Sequence, residues 1–191
     1  GGPGLLLLSG LAPWMITLLF SSAFEPAVTL LQWQMLGNVF KLASWALAFS
    51  IVAAARGKTF FLTELSFNIV FLGMVFVFLP RAGLGVTAYA FVLGYLVYLT
   101  IVYVLVRSIH GFRWQALSLG LLGLHTSLGV ALLVLVLMAP LGAAIASPLL
   151  AAATGLFGLR VVLSKVGKHG RLPTRLYGIF AKLGWPVQLA V

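Results

Sequence analysis

Cysteine and acidic residues are what this sequence most clearly lacks. It has no cysteine and no aspartate, and its two acidic residues are Glu25 and Glu64. The absence of cysteine excludes disulfides and thiolate metal sites. A paired-carboxylate mechanism would need both glutamates, and the span arrangement described below places them near opposite membrane faces. We therefore expect no catalytic residue, no metal site, no cofactor and no enzymatic activity.

Charge of either sign is also scarce. Charged residues make up 7% of the chain and apolar residues 62%, and the mean hydropathy is +1.17. Ordinary globular chains are about half apolar and about a quarter charged. So few charges cannot cover a soluble surface, and the composition therefore predicts an integral membrane protein.

Apolar runs of roughly 20 residues, the length that crosses a bilayer, recur along the chain. The predicted fold is all-α, a polytopic transmembrane helix bundle over residues 1–163. Because the connections are short, consecutive helices are expected to be antiparallel neighbours. The start, Gly1-Gly2-Pro3-Gly4, has no initiator methionine, and we interpret the chain as a fragment. About six spans are predicted, at Leu5 to Phe20, Gln34 to Ala55, Phe60 to Leu79, Leu84 to Val106, Leu117 to Met138 and Leu141 to Leu163.

Basic residues fall almost entirely on one side of this bundle. One side has only Arg81, and the other has ten basic residues: Arg56, Lys58, Arg107, Arg113, Arg160, Lys165, Lys168, Arg171, Arg175 and Lys182. Positive residues beside spans favour the cytoplasmic side, so the second and fourth connections and the tail are predicted to be cytoplasmic. Such residues also face anionic lipid headgroups. The net charge of +10 therefore needs no nucleic-acid partner, and membrane lipids are the expected contact.

The basic tail, residues 164–191, contains an amphipathic pattern. Leu176, Ile179, Phe180 and Leu183 recur at helical spacing, and two basic residues, Arg175 and Lys182, lie seven positions apart. This pattern fits an amphipathic helix in the cytoplasmic interface. A partly ordered basic tail is an equal alternative, because chain termini are often poorly ordered.

Lys41 is the charge that costs most to bury, because it lies within the second span. At about 100° per residue, small and polar residues share its helix face: Gln34, Gly37, Asn38, Ser44, Trp45 and Ala48. This stripe is expected to face protein or a water-filled cavity rather than lipid. The alternative is that Lys41 extends to the outer interface and lines nothing.

Two further spans contain polar residues whose role the sequence leaves open. Glu64 lies near the cytoplasmic end of the third span, with Asn68 one turn further on the same face, and helical rise places Glu64 opposite about Ile51. It is either a proton or cation site or a carboxylate held at the cytoplasmic interface by Lys58 or Arg56. His125 in the fifth span either hydrogen-bonds across the bundle or relays protons. Glu64, Asn68 and His125 are therefore candidate coupling-ion or structural residues.

The segment from Leu30 to Trp45, LLQWQMLGNVFKLASW, resembles bacterial polysaccharide and O-antigen flippases of the multidrug, oligosaccharidyl-lipid and polysaccharide exporter superfamily. The resemblance covers about residues 14–113, and the last two spans only generically. Asn38 departs from the pattern, because many relatives have aspartate after the equivalent of Gly37. Other matching pieces follow in family order: Phe24-Glu25-Pro26-Ala27, Gly57-Lys58-Thr59 before Glu64, Gly83-Leu84-Gly85-Val86, the tyrosines Tyr89, Tyr95, Tyr98 and Tyr103, and His110-Gly111-Phe112-Arg113-Trp114.

This resemblance implies that the chain is the C-terminal half of a two-bundle transporter in the bacterial inner membrane, partnered by a missing N-terminal helical bundle. The transporter would flip undecaprenyl-pyrophosphate-linked oligosaccharide to the outer leaflet by alternating access, for polysaccharide biosynthesis. A lysine offers a point charge to phosphate. We therefore expect Lys41 to line the substrate cavity, with hydrogen bonds from Gln34, Asn38 and Ser44.

Two other functions compete with this expectation. A cation-coupled drug antiporter of the same superfamily would favour acidic residues in its cavity, and only Glu64 lies within a span. A membrane-embedded enzyme of lipid-linked glycan assembly would need catalytic residues in a large outer loop, and the loops here are short.

Overall fold

The computed structural model describes residues 1–20, 22–166 and 171–187. Six of its helices are long and apolar enough to span a bilayer, which confirms the all-helical membrane fold. A short 3₁₀ turn, Ser22–Phe24, precedes the second span. The helices are α1 (Gly2–Leu19), α2 (Pro26–Ala53), α3 (Gly57–Ala82), α4 (Gly85–His110), α5 (Ala116–Met138), α6 (Pro140–Val166) and α7 (Arg171–Lys182).

The predicted start of the second span at Gln34 is wrong, because α2 begins eight residues earlier at Pro26. Proline is favoured in the first helical turn, where its missing N–H has no partner to lose. At 1.5 Å per residue, the 28 residues of α2 extend about 42 Å. This helix therefore exceeds a hydrocarbon core of about 30 Å, and its end turns can project from it.

The helices form two groups of three that meet at α2. One group contains α2, α3 and α4, and the other contains α1, α5 and α6. Between the groups, α2 packs against α1 and α5, whereas α3 and α4 contact neither α1, α5 nor α6 within the described residues. The prediction that all consecutive helices are neighbours is therefore wrong for α4 and α5. The five-residue connection 111–115 instead carries the chain past α2.

The core of the first group is aromatic and lies between α2 and α4. Tyr98 and Ile51 are fully buried there, and Phe67 of α3 stacks on Tyr95 with ring centroids 4.2 Å apart. Gly94 makes this approach possible, because a Cβ at that position would lie 2.9 Å from the Phe67 ring. Of α3, all of which is described, only Thr63 is buried. Much of the rest of α3 is exposed and is left to face lipid or another helix.

Small residues allow α1 to approach α6 closely. A Cβ on Gly10 would lie 2.7 Å from the backbone oxygen of Ala143. Gln32 of α2 is 1% exposed and donates its side-chain amide to the Ser9 carbonyl at 3.3 Å. Because lipid offers no alternative partner, this hydrogen bond favours the packed arrangement of α1 on α2.

The tail forms the amphipathic helix α7, which packs on α6 alone among the described elements. Its two apolar sides have different environments. Tyr177 and Phe180 are buried against Leu163 of α6, whereas Ile179 and Leu183 are exposed. The predicted apolar face is therefore divided between protein and the exterior. Residues 167–170 and 188–191 of the predicted tail lie outside the described residues.

We predict that Gly10→Ala lowers the thermal stability of the detergent-purified protein. The new methyl group would collide with a backbone oxygen that cannot rotate away, and such overpacking costs about 1–3 kcal/mol. Thermal unfolding followed by circular dichroism measures the loss. Gly73→Ala is the matched control, because nothing lies within 4 Å of a Cβ at Gly73. Equal unfolding temperatures for the two variants would contradict the close α1–α6 packing.

Candidate functional site

A cleft of about 270 Å³ lies between α2 and α3. It exists because these two helices touch only sparsely and are both held by α4. Its lining is aromatic and apolar apart from one carboxylate, and consists of Trp45, Ala48, Phe49, Phe60 and Glu64. The cleft therefore combines a charged group with surfaces that suit a planar or apolar ligand.

Lys41 does not line this cleft, but its ammonium contacts the ring of Trp45, which does. Its Nζ is 4.6 Å from the ring centroid of Trp45 and 5.5 Å from that of Tyr95. Trp45 is one turn further toward the C-terminal end of α2, so the ammonium does not extend toward the helix start, as snorkelling to the outer interface would require. Cation–π contacts of this kind contribute about 0.5–2 kcal/mol each. The positive charge is thus retained inside the bundle.

Glu64 is held by a tyrosine rather than by a basic residue. The hydroxyl of Tyr98 donates a hydrogen bond to Glu64 Oε1, and the Tyr98 side chain is fully buried. The described residues contain no ion pair that involves Glu64 with Lys58, Arg56 or Lys41. Glu64 also shares the cleft with Trp45 and Ala48, about one helical turn nearer to Lys41 than the position opposite Ile51 that helical rise predicts.

One aromatic pair connects the two charges. The Tyr95 and Tyr98 rings meet edge to face, with centroids 6.1 Å apart. Lys41 lies over Tyr95, and Glu64 accepts from Tyr98. The cation and the carboxylate therefore contact the same α4 surface without contacting each other. The sequence indicates these tyrosines only as part of the exporter resemblance, although their i, i+3 spacing places them on one helix face.

The other polar residues of the predicted stripe hydrogen-bond within α2. Asn38 Nδ2 donates to the Gln34 carbonyl at 2.9 Å. The Ser44 hydroxyl donates to the Lys41 carbonyl at 2.8 Å and is fully buried. A Cβ on Gly37 would lie 3.5 Å from Val92 Cα, so this face of α2 packs against α4. Gln34 and Asn38 are half-buried and do not line the cleft that contains Glu64.

Asn68 and His125 lie apart from Lys41. Asn68 is exposed, and its amide donates to the Glu64 backbone carbonyl at 3.0 Å, so it does not contact the carboxylate. His125 belongs to a separate cavity of about 360 Å³ on the opposite side of α2, which Ser118 and Trp114 also line. Its Nδ1 bonds the Leu121 carbonyl at 2.8 Å, and its buried Nε2 has no partner among the described residues. The described residues contain no cluster of metal-ligating side chains.

No protein-family model, curated protein or solved structure matches this chain. The exporter resemblance therefore depends on the sequence segments quoted above.

We predict that Tyr98 and Glu64 are energetically coupled. A hydrogen bond to a charged group contributes about 1.5–3 kcal/mol, so a double-mutant cycle of Tyr98→Phe and Glu64→Ala, each of which removes the hydrogen bond, should give a coupling energy near that range. Equilibrium unfolding in mixed micelles supplies the four free energies. Tyr89→Phe combined with Glu64→Ala is the control, because Tyr89 is 49% exposed, and these two changes should be additive. An additive Tyr98 and Glu64 pair would contradict the interaction.

Proposed function

We propose that this chain is one half of a flippase that moves lipid-linked oligosaccharide across the bacterial cytoplasmic membrane by alternating access, and that Lys41 binds the diphosphate of the substrate. The observation that carries the proposal is the environment of the Lys41 ammonium group. Its ammonium lies within a membrane span, contacts aromatic rings and has no carboxylate partner among the described residues. An intramembrane cation without a counter-ion is a strong candidate for an anion-binding group.

The energetics favour binding of an anion by Lys41. Ring contacts of about 0.5–2 kcal/mol stabilise the charge but leave its three N–H donors without a strong acceptor. Phosphate oxygens supply charge-assisted hydrogen bonds, which are roughly twice as strong as neutral ones. A diphosphate that enters the bundle would therefore satisfy Lys41 better than the rings do.

The depth of the site suits passage between leaflets. Lys41 is twelve residues before the last residue of α2, Ala53, which corresponds to about 18 Å of helix. Glu64 is seven residues after the first residue of α3, Gly57, or about 10 Å from the same end of the bundle. With the basic end in the cytoplasm, as charge distribution favours, the cleft would be entered from the leaflet where lipid-linked sugars are made.

The other predicted substrate residues have more limited roles. Asn38 and Gln34 lie one and two turns before Lys41 and are half-buried, so their amides are placed to meet glycan hydroxyls deeper in the bundle. Ser44 is fully buried and donates to the Lys41 carbonyl. Its hydroxyl therefore supports α2 and is not assigned to substrate.

A drug or cation antiporter is the second candidate function, and the cleft lining favours it. A carboxylate beside Trp45, Phe49 and Phe60 resembles the combination of charge and aromatic surface that binds lipophilic cations. In that case Glu64, rather than Lys41, would bind the transported molecule.

We predict that Lys41→Ala abolishes most export at normal expression. The lost interaction with phosphate, about 1.5–3 kcal/mol, corresponds to roughly a tenfold or larger loss of substrate affinity. The full-length transporter is expressed in a strain that lacks its own polysaccharide flippase, and surface glycan and accumulated lipid-linked precursor are measured. Arg81→Ala is the control, because it removes a cation at the opposite end of the bundle. Normal export by Lys41→Ala would contradict the proposal.

We predict that the same strains separate the two candidate functions. For a flippase, cationic-dye efflux should be absent for the wild type and should not appear in any variant. For an antiporter, the wild type should extrude the dye, Glu64→Gln should abolish efflux, and Lys41→Ala should retain it, because removing a nearby positive charge does not weaken a cation site. Dye efflux with that pattern and no glycan export would overturn the flippase proposal.

A further inference from the structure

The segment after the last span folds back onto α6 and is fixed there by specific contacts. The Tyr177 hydroxyl donates to the Leu163 carbonyl. Arg160 Nη2 donates to the Pro186 carbonyl at 2.8 Å, and the Arg160 guanidinium lies 4.4 Å from the Trp185 ring centroid. Contacts before and after the turn at Leu183 thus hold α7 against the last turns of α6.

A second face of α7 has no partner within the described residues. Ile179 is 52% exposed and Leu183 is 67% exposed. At 100° per residue these two side chains lie on one strip. The exposed basic residues Arg175 and Lys182 lie beside that strip, on the side away from Phe180. We call the set of these four exposed residues the α7 outer face.

The position of α7 places this face at the membrane surface. The 27 residues of α6 extend about 40 Å, which is roughly 10 Å more than a hydrocarbon core. The α7 contacts on α6 fall at Leu159 and Leu163, within the last two turns before Val166. The α7 outer face is therefore at the depth where acyl chains meet headgroups.

We propose that the α7 outer face binds anionic phospholipid of the membrane that the bundle spans. Ile179 and Leu183 enter the acyl boundary, while Arg175 and Lys182 contact headgroup phosphates. Charge complementarity supports this occupant, because residues 164–191 contain no acidic residue. Attachment to α6 supports it as well, since α7 is already held at the bilayer surface and pays little of the entropy of association. This inference does not depend on the transported substrate.

The absence of cysteine from the chain provides a direct test. Leu183→Cys introduces the sole thiol, and its modification by a water-soluble maleimide reports how often this face leaves the lipid. The full chain is placed in nanodiscs of phosphatidylcholine alone or with phosphatidylglycerol. We expect slower modification with phosphatidylglycerol. In the phosphatidylglycerol nanodiscs, Leu183→Cys combined with Arg175→Gln and Lys182→Gln should be modified up to about thirtyfold faster than Leu183→Cys alone. Each cation near an anionic surface contributes roughly fivefold to binding.

Two controls make the result specific. Ala181→Cys lies on the opposite side of α7 and is exposed, so its thiol should react rapidly in both lipids. Arg81→Gln, added to Leu183→Cys, removes a distant cation and should leave modification slow with phosphatidylglycerol. Ile179→Cys gives an independent report should Leu183→Cys fold poorly. Equal modification rates at positions 179 or 183 in the two lipids, or no effect of removing Arg175 and Lys182, would overturn the proposal.

Discussion

The constraint on which this bundle depends is the satisfaction of two ionisable side chains where water is scarce. Unpaired polar groups in hydrocarbon are costly, yet Lys41 and Glu64 do not pair with each other within the described residues. Each instead contacts a tyrosine of α4. Packing of α4 between α2 and α3 is therefore required both for the aromatic core and for the stability of the two charges.

This arrangement leaves the charges available in a way that an ion pair would not. Breaking a buried salt bridge leaves an uncompensated charge and costs several kcal/mol. Moving Lys41 from a ring to a phosphate exchanges a weak contact for a stronger one. The aromatic pair Tyr95 and Tyr98 thus contacts both charges without neutralising either. A carboxylate and an ammonium that share one surface also make the local field sensitive to any anion or cation that enters the cleft.

Composition and hydropathy were sufficient to predict the fold class, because a helix that spans a bilayer must be long and apolar over its whole length. The helical period predicted that the Lys41 face of α2 meets protein. It did not predict which helix supplies the contact, since the separation of α4 from α5 depends on three-dimensional packing around α2.

The roles of Tyr98 and Tyr95 were missed for the same reason. A tyrosine is compatible with an apolar span, so the sequence does not indicate that its hydroxyl is a hydrogen-bond donor. The position of Glu64 on another helix shows this role for Tyr98. The early start of α2 was predictable from Pro26, a helix-start signal that the position of the polar residues obscured.

The placement of α2 between the two helix groups has a mechanical consequence. This helix has the cleft of about 270 Å³ on one side and the His125 cavity of about 360 Å³ on the other, and packed helices move as nearly incompressible rods. A sideways shift of α2 toward one of these spaces would reduce the volume of that space and enlarge the other. Ala48 lines the first space and Val39 the second, on opposite sides of the helix, so a molecule that fills one space limits the room that remains in the other.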